Sequence, residues 1–425
     1  MTTVDGRTSL ARHADFVKLW IGQSLSLLGA QITLVALPVI AVVLLDATPA
    51  QVGLLGMLAR LPLLLFLFVG VWVDRLRRRP LLISTDVGRA ALFAALPLLW
   101  AADVLTLHWL YLIVSLSTLM FVVFTVAHQA YLPSLVGRPQ LVEANSKLQM
   151  SESVAQLMGP SLGGLLVSAA SAVLVVLFGA AGLVASAIAV LLIRTTERPP
   201  PESGPRQSML PAIARGVGFV WRHPVLRPGA LQLAVFFSFA TAVEVLLFLY
   251  LVRDLHLPAG WYGVILAIGG AGALIGASVA PRLVRRFGVG PSLTWSVLLR
   301  GLVLVPVPLA MGGRWSAAAM VGVAQFAYGA CVQVSIAGQA AIRQAATPDD
   351  MQGRTVATFR TLSLALAPFA ALGAGLLAEA VGLRAAIAVA VGGTTLAVVP
   401  LLLSSVPRMR ELPTPPESPE KGGQP

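Results

Sequence analysis

The chain has 425 residues, of which 57% are apolar and only 11% are charged, against a charged share of about 25% in soluble domains. A water-soluble fold has too little interior to hide that much apolar surface, and in lipid only helices or closed barrels satisfy their backbone hydrogen bonds. The net charge of +12 does not indicate nucleic-acid binding, because the basic residues lie in short segments between apolar stretches rather than in one basic stripe.

Twelve apolar stretches of 17 to 26 residues, without the alternating pattern of a β-strand, predict membrane-spanning helices. The first stretch is too long for the core of a cleavable signal peptide, so we expect it to remain as the first span. The predicted spans are 20–45, 52–73, 81–101, 109–127, 154–170, 173–193, 229–252, 262–283, 292–311, 316–339, 361–381 and 385–403.

The distribution of Lys and Arg predicts the orientation of these spans. If both termini are cytoplasmic, the cytoplasmic segments carry 24 of the 30 basic residues, the opposite segments carry three, and three lie within spans. Basic residues are enriched on the cytoplasmic side of membrane proteins. We therefore predict an all-α, multi-pass protein of the cell inner membrane, with both termini in the cytoplasm. A single cysteine, Cys331, excludes an internal disulfide.

The polar interval 194–228 divides the chain near its middle, and the two sides resemble each other. Segment 70–79 corresponds to 276–286, and segment 129–164 corresponds to 339–375, which indicates parallel repeats. We expect a six-helix bundle over 1–193, a linker over 194–228, a second bundle over 229–404 and a disordered tail over 405–425. The linker carries an amphipathic pattern near 211–225, which predicts a helix on the cytoplasmic membrane surface.

The loop after the second span reads GVWVDRLRRR. Glycine permits close approach of helices, aspartate at a helix end can pair with arginine or a helix N-terminus, and arginines anchor a loop at the anionic leaflet. A simple topological anchor would explain the arginines but not the glycine and the aspartate. We therefore predict a cytoplasmic gate, supported by a charged pair in the third span; its residues are Gly70, Asp74, Arg75, Arg78, Asp86 and Arg89.

This loop resembles the signature loop of the major facilitator superfamily. The segment 131–148, YLPSLVGRPQLVEANSKL, resembles the subgroup that contains the enterobactin exporter and macrolide-efflux proteins, and the likeness runs from about Phe16 to Leu403. It implies a twelve-helix, alternating-access transporter, usually a proton-coupled exporter, in which Asp74 and the nearby arginines latch the cytoplasmic face in the outward-open state. The second half has Pro281 where the aspartate would stand, so we expect an asymmetric latch.

The fifth predicted span contains a small-residue pattern, Gly159, Pro160, Gly163 and Gly164. Glycines at this spacing give a smooth helix face for close packing, and proline introduces a kink. The pattern resembles the end of the motif associated with antiporters in the superfamily, although the fuller motif would have further glycines upstream. The resemblance favours export over import.

Polar side chains follow single helical faces in four spans. In lipid such faces must turn inward, either to line a cavity or to bond neighbouring helices. In the superfamily, spans one, four, seven and ten line the substrate cavity, and this resemblance favours the first interpretation. The predicted cavity residues are Gln31, Ser115, Thr118, Thr125, Phe237, Thr241, Gln325 and Tyr328.

Two further charges, Glu244 and Arg60, lie deep within predicted spans. Intramembrane charges indicate function by default, and a buried carboxylate can exchange protons near neutral pH. We predict that Glu244 carries the coupling proton; the alternative is a structural ion pair between Arg60 and Glu244.

The sequence therefore predicts a proton-coupled exporter of hydrophobic small molecules such as drugs, antibiotics or siderophores. A nutrient importer of the same fold, or a receptor or scaffold that does not transport, is the alternative. The chain has neither a Walker-type phosphate loop nor metal-ligand spacing, so we expect no cofactor and no enzymatic reaction. The expected partners are a small-molecule substrate, protons and the lipid bilayer, with no nucleic acid, and we expect a monomer.

Overall fold

The structure, a computed structural model, describes residues 10, 13–73, 75–137, 140–195, 209–348 and 351–413. Within these ranges the chain forms helices and no strands. Short π-helical segments, Ile40–Leu44 and Tyr250–Asp254, extend α1 and α9. The helices are α1 (Ala14–Val39), α2 (Pro49–Leu58), α3 (Phe66–Val73), α4 (Arg78–Ala101), α5 (Leu107–Leu135), α6 (Leu141–Ala169), α7 (Ala172–Leu191), α8 (Met209–Arg222), α9 (Leu226–Leu249), α10 (Trp261–Phe287), α11 (Val289–Leu302), α12 (Arg314–Ala345), α13 (Gln352–Ala365), α14 (Ala367–Val381), α15 (Leu383–Leu396) and α16 (Val399–Leu402).

Each of the twelve predicted spans contains helix, which confirms the all-α, multi-pass fold. The ninth span, predicted over 292–311, is helical only as far as Leu302, and residues 303–309 form turns. Nine helical segments of the described chain are long and apolar enough to cross a membrane. The remaining three predicted spans fall on α2 with α3, on α6 and on α11. α6 is polar over its first half, α11 has only 14 residues, and the second span is interrupted.

The second predicted span is not one continuous helix. α2 ends at Leu58, a 3₁₀ turn covers Leu61–Leu65, and α3 begins at Phe66. Pro62 explains the interruption, because proline lacks a backbone N–H and disfavours helical geometry in the preceding residue. Arg60 lies at this break, as the residue that caps the 3₁₀ turn.

The first of two compact units comprises Met1–Thr48, Leu58–Glu202 and Pro258–Ala267. Within it, α1 packs against α6 and α7, and α4 packs against α5 and α7. Glycines allow α1 and α7 to touch at the backbone: a Cβ atom on Gly29 would lie 3.0 Å from the Cα atom of Gly179. Small residues at such crossings are typical of membrane helix packing.

The second unit comprises Pro49–Met57, Ser203–Leu257 and Ile268–Pro425. Here α9 packs against α13, α14 and α15, and α11 packs against α12 and α15. The segments 49–57 and 258–267 therefore group with the opposite half from the one that the predicted boundaries assign to them.

The predicted linker helix exists as α8, but it packs on protein as well as presenting an apolar exposed side. α8 contacts α9 and α13, and Val220 is fully buried in a cluster with Leu226 and Phe359. Val217 and Trp221 stay exposed. α8 therefore has one side packed on the protein and an exposed apolar side, and its position on the cytoplasmic membrane surface stays a prediction.

The tail predicted to be disordered from residue 405 is partly folded. Val406–Arg408 forms a 3₁₀ turn, Val406 is buried beside Val289 and Leu293, and the backbone N–H of Gly290 donates to the carbonyl of Met409 at 2.9 Å. Apolar burial thus extends the second unit beyond the last helix. Residues 414–425 lie outside the described residues.

Candidate substrate, gating and coupling sites

The predicted gate loop is described only in part, because Asp74 lies outside the described residues. Arg75 is exposed, and Arg78 begins α4. At Gly70, no described atom lies within 4 Å of the position that a Cβ atom would take. The close helix approach expected at this glycine is therefore not found among the described residues.

Next to this loop, charged side chains hold the end of α7. Lys18 donates to the carbonyl oxygen of Leu192 at 2.8 Å, and Oδ2 of Asp15 accepts from the backbone N–H groups of Arg194 at 3.1 Å and Thr195 at 2.9 Å. Cations suit the exposed carbonyls at a helix C-terminus. Sequence reasoning missed Asp15; the only signal is an Asp and a Lys three residues apart, just before the first predicted span and at the start of α1.

Asp86 and Arg89 form a buried pair within α4. Asp86 is 0% exposed and Arg89 is 7% exposed. Nη1 of Arg89 lies 3.8 Å from Oδ1 of Asp86, and its guanidinium carbon lies 5.3 Å from the ring centre of Phe121. The distance is that of an ion pair rather than a hydrogen bond. The two opposite charges balance each other inside unit 1.

The glycine face of α6 packs closely, as its spacing suggests. Gly159 lies against Gln31 of α1, and a Cβ atom on Gly163 would lie 3.2 Å from the Cα atom of Ile32. A Cβ atom on Gly164 would lie 2.5 Å from the carbonyl oxygen of Gly260. Pro160 is buried within an unbroken α6. The antiporter role of this face stays a prediction.

Unit 2 contains a matching glycine contact. A Cβ atom on Gly53 of α2 would lie 2.8 Å from the carbonyl oxygen of Ala371 and 2.9 Å from the Cα atom of Gly375, both on α14. Gly375 occupies the repeat position that corresponds to Gly164 in the first half. Each unit therefore has one backbone-to-backbone crossing built on equivalent glycines.

The predicted cavity residues of α5 are partly buried, and two of them bond within their own helix. The hydroxyl of Thr118 donates to the carbonyl of Val114 at 2.9 Å, and that of Thr125 donates to the carbonyl of Phe121 at 2.8 Å. Ser115 is half-buried on the same helix. These hydroxyls are satisfied without a ligand, although each oxygen retains acceptor capacity.

The predicted cavity residues of unit 2 lie on α9 and α12. Thr241 and Gln325 are buried, and the ring of Phe237 meets that of Phe236 edge-on at 5.3 Å. Tyr328 of α12 interacts electrostatically with Glu244, which is half-buried on α9. The structure thus brings the predicted coupling carboxylate close to one predicted cavity residue. Arg60 belongs to unit 1 and Glu244 to unit 2, and their pairing stays a prediction.

Sequence reasoning placed Arg300 within a span but gave it no role. In the structure it is 1% exposed, on α11. Its Nη1 donates to Oγ of Ser335 at 3.0 Å, and its guanidinium carbon lies 3.5 Å from the ring centre of Phe236. Nε and Nη2 have no hydrogen-bond partner among the described residues. The available signal was a single arginine in an apolar stretch, without a nearby acidic residue.

An apolar cavity of about 480 Å³ lies between α10, α11 and α12 of unit 2. The described side chains that form its walls are aromatic, aliphatic or small with a hydroxyl or thiol group, and none of them is charged. The cavity is open on one side, where Trp295 and Leu299 are exposed. The lining includes Ile275, Val279, Ser292, Trp295, Leu299 and Cys331.

Known structures share the fold of this chain. A bacterial homologue of the iron transporter ferroportin in the inward-facing state superposes with a TM-score of 0.72 at 19% identity, covering 93% of this chain and 99% of that one. The nucleoside transporter NupG gives a TM-score of 0.71 at 13% identity, covering 91% of this chain and 98% of that one. At these identities the similarity establishes the fold alone.

Relatives that are similar in sequence identify the family more closely than the fold does. The chain is 27% identical over 400 residues to the multidrug efflux pump Tap of Mycolicibacterium fortuitum, covering 90% of this chain and 93% of that protein. It is 26% identical over 347 residues to the enterobactin exporter EntS of Citrobacter koseri, covering 81% of this chain and 80% of that protein. Residues 7–421 match the family described as transmembrane secretion effector. The chain is therefore a multi-pass transporter of the major facilitator superfamily and belongs to its transmembrane secretion effector family.

Proposed function

We propose that this transporter exports hydrophobic small molecules, such as drugs, antibiotics or siderophores, by alternating access coupled to protons. The observation that carries this proposal is the similarity to a multidrug efflux pump and to an enterobactin exporter along most of both chains. The buried glycine face of α6 supports export, because it resembles the antiporter motif of the superfamily.

In this proposal, the predicted cavity residues contact the substrate, and Glu244 carries the proton. The electrostatic interaction of Glu244 with Tyr328 supports this role, because it links the charge of the carboxylate to a predicted cavity residue. Asp74, Arg75 and Arg78 form the cytoplasmic gate, with both termini on the cytoplasmic side of the inner membrane. The chain works as a monomer.

Transport by purified protein in proteoliposomes tests the proposal. With an imposed pH gradient, we expect uphill movement of a fluorescent drug such as ethidium or of a labelled siderophore, and collapse of this movement when a protonophore is added. Movement of substrate and protons in the same direction would indicate the importer, and the absence of any flux across a broad panel would favour a receptor or scaffold.

Glu244→Gln tests the coupling residue. The amide mimics a permanently protonated side chain, so uphill transport should be lost while downhill exchange of substrate persists. Asp254→Asn, at the end of the π-helical segment after α9, is the matched control and should retain uphill transport. If the double replacement of Arg60 and Glu244 by glutamine recovers uphill transport, the two residues form a structural ion pair and the proton-carrier role is wrong.

A further inference from the structure

Arg300 is a buried cation whose charge is not balanced by any described side chain. It is 1% exposed, and no described carboxylate lies within 4 Å of it. Burying an unpaired charge is costly, and charged residues inside the membrane occur almost always with a partner or at a functional site. An anion from outside the chain would supply the missing charge.

The contacts of Arg300 fix its guanidinium while leaving part of it available. Phe236 lies under its plane at 3.5 Å, and Ser335 accepts one hydrogen bond at 3.0 Å. Nε and Nη2 are left without partners. Since a guanidinium binds carboxylates through two parallel N–H groups, this edge of Arg300 has the geometry for a bidentate anion.

Glu244 does not fill this position in the structure. It interacts with Tyr328, and Tyr328 in turn interacts with Arg300. The other group that interacts electrostatically with Arg300 is Cys331. The contacts of the guanidinium with described side chains are therefore those to Ser335 and Phe236, and neither carries a charge.

The apolar cavity of unit 2 adjoins this cation. Cys331 lines the cavity and also interacts with Arg300, and Ser296, one turn before Arg300 on α11, lines the cavity as well. Cys331 in turn lies one helical turn before Ser335, the hydrogen-bond partner of Arg300, on α12. The cavity wall is therefore built by the same stretches of α11 and α12 that hold the guanidinium.

We infer that Arg300 and this cavity form a binding site for an amphiphilic monoanion, with the anionic group on Arg300 and the apolar part of the molecule in the cavity. Such an anion balances the charge of Arg300 and fills a cavity that carries no charge of its own. That a transported solute occupies this site rests on the proposed export function, whereas the binding of an anion to Arg300 does not. The same chemistry could come from a transported solute or from a fatty acid of the bilayer.

Direct binding to the purified, full-length protein tests the site without relying on transport. The probes are 1-naphthoate and 1-naphthamide, which have the same aromatic body and differ in charge. We expect saturable binding of naphthoate and at least about tenfold weaker binding of naphthamide, because hydrogen bonds to charged groups contribute about tenfold or more in affinity. Equal binding of the two probes, or binding of neither, would overturn the inference.

Two kinds of variant assign the binding to Arg300. Arg300→Gln should weaken naphthoate binding roughly tenfold to a hundredfold and leave naphthamide binding unchanged, whereas Arg300→Lys should retain part of it. Val297→Asp places a carboxylate three residues before Arg300 and should exclude naphthoate by supplying the missing anion from within the chain. Val297→Asn, of the same size without the charge, is the control and should bind naphthoate normally. Unchanged naphthoate binding in Arg300→Gln would contradict the inference.

Cys331 reports the location of the ligand, because it is the single cysteine of the chain. Naphthoate should slow alkylation of Cys331 by N-ethylmaleimide, naphthamide should do so less, and the protection should disappear in Arg300→Gln. Naphthoate binding that leaves the alkylation rate unchanged would place the ligand elsewhere and overturn the site.

Transport separates the two sources of the anion. Uphill efflux of naphthoate that Arg300→Gln abolishes identifies a solute site. Binding of naphthoate and oleate without flux of naphthoate identifies a site for bilayer fatty acids. If wild-type protein moves no solute at all, the export proposal fails, while the binding and alkylation results still decide the role of Arg300.

Discussion

Arg89 in unit 1 and Arg300 in unit 2 occupy matching helix positions, because each is the twelfth residue of its helix, α4 (Arg78–Ala101) and α11 (Val289–Leu302). Both are buried in the third helix position of their half, and both place the guanidinium over a phenylalanine ring. The difference lies three residues earlier: Asp86 balances Arg89, whereas the fully buried Val297 precedes Arg300. One unit therefore contains a neutral pair at this position, whereas the other contains a cation with no carboxylate within 4 Å among the described residues.

The two units thus share their close glycine contacts but differ in their buried charges. The glycine crossings are retained, with Gly164 in unit 1 and Gly375 in unit 2 each meeting a neighbouring backbone. The charges are not retained, because unit 2 lacks the carboxylate of the pair. Close helix packing is a requirement of the fold in both halves. A buried charge without a counter-ion does not help folding, and we therefore infer a functional reason for Arg300.

The largest expected effect comes from breaking the balanced pair. Asp86→Asn leaves Arg89 as an unpaired buried cation, and removing one partner of a buried ion pair costs about 3–5 kcal/mol. We expect a corresponding loss in the unfolding free energy measured in detergent. The double variant with Arg89→Gln should regain part of this loss, because it removes the remaining charge.

Val297→Asn is the matched control in unit 2. It changes the matching helix position without creating an unpaired charge; the amide buried in this apolar cluster costs about 1–3 kcal/mol, less than the loss expected for Asp86→Asn. If the double variant in α4 is no more stable than Asp86→Asn alone, the two charges do not balance each other and the contrast between the units is lost.

Glycine substitutions have the next largest expected effect and test what the units share. Gly375→Ala and Gly164→Ala each place a methyl group against backbone atoms that cannot rotate away, and overpacking costs about 1–3 kcal/mol. Gly373→Ala on the same helix, α14, is the control, because no described atom lies within 4 Å of its Cβ position. We expect loss of thermal stability and transport in the first two variants and neither in the control. If Gly373→Ala and Gly375→Ala lose the same thermal stability and transport, close backbone packing at Gly375 does not explain the loss.

The sequence predicts the helical framework well because a strong and simple signal specifies it. Hydropathy over about 20 residues is set by the thickness of the bilayer, and each of the twelve predicted spans contains helix. The interruption of the second span was also present in the sequence, at Pro62, but apolar content outweighed it in the prediction. Proline can remain inside a membrane helix, as Pro160 does in α6, so the residue alone does not decide.

The candidate sites were less predictable because they depend on which side chains meet. Sequence spacing places Asp86 and Arg89 on one face of a helix, and they do pair. No spacing rule relates Arg300 to Phe236 and Ser335, which lie on two other helices. Likewise, Asp15 reaches backbone groups about 180 residues away. Contacts of this kind become visible only once the helices are packed together. Asp74 lies outside the described residues, so its predicted part in the gate stays a prediction.

A smaller effect should come from the junction at the end of α7 in unit 1. Asp15→Ala removes a carboxylate that accepts two backbone N–H groups, and each lost hydrogen bond costs about 1 kcal/mol. We expect faster amide hydrogen exchange at Arg194 and Thr195, with little change elsewhere. Lys18→Gln removes the contact to the carbonyl of Leu192 and the 2.8 Å ion pair with Oδ1 of Asp15 but keeps Oδ2 as the acceptor, so it should leave these two amides more protected than Asp15→Ala does. Unchanged exchange in Asp15→Ala would show that the loop is held by other contacts.

The smallest expected effect is a pH dependence at the corresponding junction of unit 2, between α8 and α9. Nδ1 of His223 accepts from the backbone N–H groups of Val225 at 3.2 Å and Leu226 at 3.3 Å, which requires an unprotonated nitrogen. Burial lowers the pKa of His223 below its usual value. Folding therefore favours the neutral ring. Its contribution to stability is complete above the unfolded pKa of about 6.5 and is lost as the pH falls through the lower pKa of the folded state.

Hydrogen exchange at Val225 and Leu226, corrected for the intrinsic pH dependence, should accelerate between pH 7.5 and pH 5 in the wild type. His223→Asn keeps an acceptor that does not titrate, and in that variant the acceleration should vanish; an equal acceleration in both proteins would show that another group controls the junction.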